Sequence, residues 1–145
     1  MSLKAVAQSN NELKNCWKLG MQALQKKDKK LIQTRNSACN GSINIDTCLK
    51  DSCPNDNRWD YGLDINDQGV FVEVHPAHTN AVNTLLAKLK WLKSWFSRNC
   101  SGFNGLSKSY YWVASGPVAI RRGTPQARRL SKEGITGPIK HLNLG

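Results

Sequence analysis

The stretch from residue 58 to residue 75 constrains the fold of this 145-residue chain most, because it predicts a β-hairpin. Residues 58 to 65 alternate polar and apolar side chains, as a strand with two different faces does, and residues 70 to 75 do so from Val72 onward. Asn-Asp-Gln-Gly separates them, and these residue types tolerate the backbone dihedrals of a tight turn. We therefore expect two antiparallel strands joined directly, with a two-residue loop at Asp67 and Gln68.

That register places Asp60 opposite His75 and gives the hairpin two unlike faces, because side chains alternate along a strand. One face carries the titratable side chains Asp60, Asp64, Glu73 and His75, with Arg58 beside them. The other face carries only aromatic and aliphatic side chains: Trp59, Tyr61, Leu63, Ile65, Val70, Val72 and Val74. One face of the hairpin is thus predicted to be wholly apolar and the other to be acidic.

The acidic face has two interpretations. An antiparallel sheet often turns one polar face to water, and on this interpretation the carboxylates are simply solvated. Against it, three like charges on one strand pair repel one another unless a cation or a basic side chain lies between them. A hard divalent metal ion would remove that repulsion. The pattern alone leaves both interpretations open.

The charge of the chain is strongly positive and unevenly distributed. It has 21 Lys and Arg against 10 Asp and Glu, a formal net charge of +11, which favours an anionic partner such as nucleic acid over a neutral metabolite. Residues 46 to 73 hold seven of the ten acids with only Lys50 and Arg58, so seven negative charges against two positive ones leave −5 there. An acidic spot in a basic field suits a metal-dependent enzyme that acts on a polyanion, and it equally suits internal ion pairing.

The length of the chain predicts a single domain over residues 1 to 145. Its five cysteines are an odd number, and its first residues, Met-Ser-Leu-Lys-Ala, contain no long apolar run. We therefore expect a soluble, cytoplasmic protein whose thiols are free in a reducing setting. No stretch approaches the roughly 20 apolar residues that cross a bilayer, so no membrane association is expected.

Apolar spacing predicts helices over residues 10 to 27 and 79 to 98. Short strands are expected at residues 31 to 34 and 110 to 114, and a last one in the tail from 135 to 144. Together with the hairpin, these elements predict an α/β (α+β) domain with a mixed central β-sheet flanked by the two helices.

A basic segment follows the last internal strand. Thr124-Pro125 predicts the start of a short helix, which ends at Gly134. Five cations cluster in and before this helix: Arg121, Arg122, Arg128, Arg129 and Lys132. With Lys88 of the long helix, the four arginines are our predicted nucleic-acid-binding residues.

The order helix, strands, helix, strand, with Asp60 on one hairpin arm and Glu73 on the next, resembles the PD-(D/E)xK nucleases, the restriction-endonuclease-like group. In that family an Asp on one strand and a Glu or Asp on the following strand hold magnesium, within an αβββαβ core. The resemblance implies that Asp60 and Glu73 bind Mg²⁺ or Mn²⁺, and Asp64 on the same acidic face is our third predicted metal ligand. It implies a protein that cleaves phosphodiester bonds of nucleic acid.

The sequence departs from that motif at one residue. The family places a Lys two residues after the second acid, where it helps to activate water, and here His75 stands at that position. Either His75 acts as a general base or orienting group, or a lysine of the next helix, Lys88 or Lys93, supplies the charge. His75 has a structural alternative as well, a charged pair with Asp60 that braces the sheet.

Two hypotheses of a different class accompany the nuclease. The chain could be a catalytically inactive binding module whose arginines and exposed Trp91 contact nucleic acid, which the missing motif lysine favours. It could instead be an interaction protein whose positive surface meets an acidic protein partner. Dependence on a divalent metal separates the nuclease from both.

Overall fold

The computed structural model describes residues 1 to 35 and 38 to 144, and a five-stranded mixed β-sheet lies at its centre. The strands in chain order are β1 (Ile32–Thr34), β2 (Cys39–Asn44), β3 (Tyr61–Ile65), β4 (Gln68–Ala77), β5 (Lys108–Val118), β6 (Ile135–Ile139) and β7 (Leu142–Leu144). The α-helices are α1 (Leu3–Gln8), α2 (Lys26–Lys29), α3 (Ile45–Cys48), α4 (Val82–Asn99) and α5 (Pro125–Lys132).

The central sheet has the strand order β2-β3-β4-β5-β6. The first three strands form an antiparallel meander, and β5 and β6 then join parallel to β4. A parallel neighbour requires a crossover connection, which α4 supplies between β4 and β5 and α5 supplies between β5 and β6. Strands β1 and β7 pair separately as a two-stranded parallel sheet. The predicted mixed α+β architecture, a central sheet flanked by helices, is confirmed.

The β3–β4 hairpin is confirmed, but its loop is one residue earlier than predicted. Asn66 and Asp67 both have positive φ, 52° and 67°, the signature of a two-residue type I′ turn. The register therefore pairs Tyr61 with Val72, and its continuation by one residue sets Asp60 opposite Glu73 instead of His75. Because the pairing shifts by two residues, the side chains within β3 and β4 keep their predicted faces while their cross-strand partners change.

Both faces of the hairpin are buried, so the solvated interpretation of the acidic face is wrong. Most of the residues predicted for the apolar face pack in one core with β1 and β7: Tyr61, Leu63, Ile65, Val70 and Val72. Trp59 lies in the other core. That other core, under α1 and α4, covers the acidic face, and the side chains of Asp64 and Glu73 are 0 % exposed there. Gly62 allows this approach, because a Cβ atom at that position would lie 3.1 Å from Leu3 Cδ2 of α1.

The predicted helix over residues 10 to 27 is wrong. This segment contains a 3-10 turn at Lys14–Cys16, a positive φ of 50° at Gly20 and the short helix α2. The apolar residues that suggested one helical stripe belong to two cores: Leu13 packs under α1, and Leu24 packs with β1 and β7. Helical spacing thus arose here from residues on opposite sides of the sheet.

The second predicted helix is confirmed as α4, which a 3-10 turn at Thr79–Ala81 precedes. The basic helix is confirmed as α5, with the Thr124 hydroxyl accepting the Ala127 N–H as its cap. The tail predicted as a last strand divides into β6 and β7, which join different sheets. Within the described part of the chain, none of the helices combines the length and apolar character that a membrane crossing requires.

Two of the five cysteines are bonded, which corrects the expectation of free thiols throughout. Cys16 and Cys48 form a disulfide across 32 residues of sequence, and Cys39, Cys53 and Cys100 are free. The spacing did not predict this pair, because the two residues meet only when the Lys14–Cys16 turn packs against α3. Disulfides persist mainly in oxidising compartments, so the bond does not support the expected reducing, cytoplasmic setting, which stays a prediction.

Candidate functional site

Asp60 and Glu73 lie together where β3 begins beside the middle of β4. The Asp60 N–H donates to Glu73 Oε1 at 3.0 Å, and the Val74 N–H donates to Asp60 Oδ2 at 3.0 Å. Each carboxylate is thus held by the backbone of the neighbouring strand. The predicted pair of acids is brought together by the register that the turn sets.

A lysine and a histidine side chain approach the same carboxylate. Lys88 of α4 donates from Nζ to Glu73 Oε2 at 2.5 Å, and His75 Nδ1 lies 3.7 Å from that oxygen. The Lys88 side chain is 18 % exposed and that of His75 29 %, so both reach the surface, whereas Glu73 does not. We call Asp60, Glu73, His75 and Lys88 the Asp60–Glu73 cluster.

The electrostatics of the cluster favour a protonated Asp60. Burial raises the pKa of Asp60 to about 7, and the nearby Glu73 charge adds to the rise, while the Lys88 ammonium and the Val74 N–H oppose it. Burial alone would lower the pKa of Lys88, but the charge and hydrogen bond of Glu73, with the charge of Asp60, raise it overall. Lys88 therefore keeps its positive charge, whereas the Asp60 carboxyl titrates near neutral pH.

Asp46 and Arg58 brace Asp60, and the sequence did not single out either as a site residue. The N–H groups of Ile45 and Asp46 donate to the Asp60 carbonyl at 2.8 and 3.4 Å. Arg58 Nε donates to Asp46 Oδ1 at 2.9 Å, and Arg58 Nη1 donates to the Cys53 carbonyl at 2.6 Å. Asp46 opens the acidic stretch at 46 to 73, which was the available signal, but its place beside Asp60 depends on α3 packing on the strand.

The third predicted metal ligand, Asp64, lies at the other end of β3 and serves the backbone. Its Oδ2 accepts the Lys4 N–H in the first turn of α1 at 3.0 Å. Its Oδ1 accepts the Asp67 N–H of the hairpin turn at 3.0 Å and the Asn40 side-chain amide at 3.3 Å. The structure therefore separates Asp64 from Asp60 and Glu73 and occupies both of its oxygens.

The structure distinguishes Lys88 from Lys93, the two residues of α4 that the sequence offered as the motif lysine. Lys88, which was also predicted to bind nucleic acid, contacts Glu73. Lys93, predicted to be catalytic, instead places its Nζ 5.2 Å from the centre of the Tyr110 ring on β5. It also lines a cavity of about 570 Å³ that includes Leu89 and Glu133. Lys93 is thus turned away from the carboxylates.

The predicted nucleic-acid-binding arginines lie on the surface. Arg121, Arg122, Arg128 and Arg129 are all exposed, and no salt bridge involves any of them within residues 1 to 35 and 38 to 144. Trp91, by contrast, is half-buried: it stacks on Trp95, and its indole N–H donates to Asp56 Oδ2 at 2.9 Å. The expectation of an exposed Trp91 free to contact a ligand is therefore wrong.

The residues present fit an ion such as Mg²⁺ that takes only one or two ligands from the protein. Among the described residues, no group of three or more His, Cys, Asp or Glu side chains is arranged to hold a metal. Mg²⁺ commonly binds through one or two carboxylates and keeps several waters, and Asp60 and Glu73 offer such a pair. Asp60 Oδ1 accepts no hydrogen bond from the described protein atoms. An ion bound to Glu73 Oε2 would have to replace the contact of that oxygen with Lys88 or His75.

Comparisons with models of known protein families, with curated proteins and with solved structures found no match. The geometry of the described residues therefore carries the functional proposal.

Proposed function

We propose that this protein is a metal-dependent nuclease that hydrolyses phosphodiester bonds of nucleic acid, with a restriction-endonuclease-like core. The observation that carries the proposal is the convergence of Asp60, Glu73 and Lys88 from two adjacent strands and the following helix. With α2, β1 and α3 set aside, the order α1, β2, β3, β4, α4, β5 supports the αβββαβ order of that core, with the last strand parallel to β4.

A divalent ion at Asp60 and Glu73 would lower the pKa of a bound water and offset charge on the phosphate. The side chains of the cluster have tasks of their own. Glu73 is fixed by the Asp60 N–H and by Lys88, so its carboxylate cannot swing away. Lys88 keeps its positive charge beside the carboxylates, where it can offset the negative charge of a scissile phosphate.

Lys88 supports the proposal at the point where the motif is incomplete. His75 occupies the usual lysine position, but it lies 3.7 Å from Glu73, farther than Lys88. A lysine from the crossover helix thus brings the cation that the strand lacks. His75 remains within reach of the same carboxylate, where it can orient a water or accept a proton.

The test is cleavage of labelled single- and double-stranded DNA and RNA in Mg²⁺ or Mn²⁺. We expect the isosteric variants Asp60→Asn and Glu73→Gln to lose about 100-fold or more in rate, the scale seen when a group that stabilises a transition state is removed. Asp51→Asn, which changes an exposed acid, is the matched control and should cleave like the native protein. Metal-independent cleavage, or equal rates in all variants, would contradict the proposal.

A second candidate is a binding module without catalysis. It is favoured by one observation: Lys88 already compensates the charge of Glu73 without a metal ion. On this alternative, nucleic acid binds with the same affinity in a chelator and in Mg²⁺, and no substrate of the panel is cut. A third candidate function is binding of an acidic protein through the positive surface. A polyanion should then compete with that protein for binding.

A further inference from the structure

The chain has two exposed basic patches on opposite sides of the central sheet. The first consists of Arg121, Arg122, Arg128 and Arg129, in the loop after β5 and on α5; we call it the basic rim. The second consists of Lys26, Lys27, Lys29 and Lys30, in and next to α2; we call it the lysine patch. Each contains four cations, so net charge alone does not distinguish them as surfaces for an anion.

The basic rim is on the same side of the sheet as Lys88. Leu130 of α5 is completely buried in the core under α1 and α4, which fixes the helix against that side. The lysine patch is on the other side, because Asp28 of α2 accepts the Tyr61 hydroxyl at 2.6 Å and Tyr61 belongs to the core with β1 and β7. A polyanion lying across Lys88 would therefore approach the rim and be separated by the sheet from the lysine patch.

The basic rim also begins near the cluster along the strands. Strand β4 runs from Glu73 past His75 to Ala77, where it pairs with Val118 of β5. The Ala119 N–H donates to the Ala77 carbonyl at 3.0 Å, so the chain that leads to Arg121 starts at that point. Four residues of strand span about 13 Å, the step between neighbouring strands adds about 5 Å, and two more residues add at most about 7 Å. Arg121 thus begins within about 25 Å of Glu73.

The loop that carries the first two arginines is held in place. The side chain of Ile120, just before them, is 7 % exposed and packs in the core. The Thr124 hydroxyl, just after them, donates to the Arg121 carbonyl at 2.7 Å. A distance of about 25 Å corresponds to about seven base pairs at 3.4 Å each. One duplex segment could therefore contact the Asp60–Glu73 cluster and the basic rim together.

We propose that the basic rim binds the sugar-phosphate backbone of the nucleic acid that the Asp60–Glu73 cluster acts on, and that the lysine patch does not. The inference rests on the proposed function for the identity of the partner. Arginine suits the task, because its planar guanidinium can bind phosphate oxygens through two hydrogen bonds. The four rim arginines have no acidic partner among the described residues, so their charges are available to phosphates.

The experiment compares two quadruple variants that remove equal charge. One changes Arg121, Arg122, Arg128 and Arg129 to Gln, and the other changes Lys26, Lys27, Lys29 and Lys30 to Gln. Binding of a labelled duplex and of a labelled single strand is measured from 50 to 200 mM salt in a chelator, so that cleavage cannot occur. Circular dichroism verifies that both variants are folded.

We expect the rim variant to lose at least about tenfold in affinity for the preferred strand, and its salt dependence to fall by up to about 3.6 logarithmic units per decade for a duplex, or about 2.8 for a single strand. The lysine variant should stay within about threefold of the native protein. Equal losses in both variants, or an unchanged rim variant, would overturn the proposal, as would a native protein that binds neither probe. If the rim variant alone loses binding but the native protein cuts nothing in Mg²⁺, the rim stands and the proposed hydrolysis fails.

Discussion

The two ends of β3 each hold a carboxylate, and they differ in what surrounds it. Asp64, at the end next to the hairpin turn, is completely buried and accepts three hydrogen bonds, two of them from backbone N–H groups. Asp60, at the other end, is half-buried and shares its site with a second acid, a lysine and a histidine. Only the Asp60 end combines like charges, a raised pKa and access to the surface.

We therefore regard Asp60, and not Asp64, as the candidate functional acid. At Asp64, both carboxylate oxygens accept hydrogen bonds from backbone N–H groups, so neither oxygen is left for a ligand. The residue ties α1 to the hairpin. At Asp60 the neighbouring Glu73 opposes ionisation and one oxygen lacks a protein donor, so the site is incomplete without a proton or a cation.

The largest effect on stability is expected from Lys88→Met. This change leaves the buried Glu73 carboxylate with only His75 nearby, and breaking a buried ion pair on one side typically costs about 3 to 4 kcal/mol. Chemical denaturation at pH 8 measures it. Lys93→Met on the same helix is the matched control, and losing its contact with Tyr110 should cost about 1 kcal/mol or less.

Restoring charge balance sharpens the Lys88 test. The double variant Lys88→Met with Glu73→Gln removes both charges and should recover most of the stability lost by Lys88→Met alone. The cleavage assay should show a large loss for Lys88→Met and a native rate for Lys93→Met. Equal stability of the two single lysine variants would contradict the role assigned to the Lys88–Glu73 pair.

A somewhat smaller loss, about 2 to 3 kcal/mol, is expected from Asp64→Ala. The substitution leaves the N–H groups of Lys4 and Asp67 without their acceptor, and each buried unsatisfied donor costs about 1 to 3 kcal/mol. Thermal and urea unfolding measure the change, with the exposed Asp51→Ala as control. If Asp64→Ala kept native stability but lost Mn²⁺ binding, Asp64 would belong to the functional site and the contrast between the two ends would fail.

The smallest expected effect is a gain in stability, and it is expected from Asp60→Asn at high pH. Because the folded pKa of Asp60 is about 7 and its ordinary value is 3.8, the folded state binds more protons between these values. The stability from this group is therefore complete below about pH 4 and is lost as the pH rises through 7. Asp60→Asn removes the loss and should be more stable than the native protein at pH 8, by about 1 to 2 kcal/mol after allowance for partial exposure.

Unfolding curves at pH 4, 6 and 8 check this prediction, and the gain should vanish at pH 4. Adding Mg²⁺ at pH 8 sharpens it, because an ion that binds the ionised Asp60 would stabilise the native protein and narrow the gap to the variant. A gain that is the same at every pH would mean that Asp60 does not titrate as described.

Local pattern was enough to predict several elements. The alternation over residues 58 to 75 predicted the hairpin, and the apolar stripe predicted α4. The hairpin and α4 were confirmed because neighbours within a strand, a helix or a tight turn determine them. The sequence also placed Asp60 and Glu73 on one face of the hairpin, where the structure brings them together, and their role as a metal site stays a prediction.

Other features could not be predicted, because they depend on residues far apart in the chain. The segment 10 to 27 imitates a helix, yet Leu13 and Leu24 pack on opposite sides of the sheet. The Cys16–Cys48 bond and the brace from Asp46 both require α3 to pack in place. Spacing along the chain contains no information about such meetings.

The sequence by itself determined the hairpin, the shared face of its acids and the basic character of the surface, since side-chain alternation and charge are local properties. The tertiary structure alone decided that Lys88, and not Lys93, meets Glu73, because the packing of α4 on the sheet sets which side of that helix faces the carboxylates. It also decided that Asp64 links α1 to the hairpin whereas Asp60 shares its site with Glu73 and Lys88, because α1 brings the Lys4 N–H to only one end of β3.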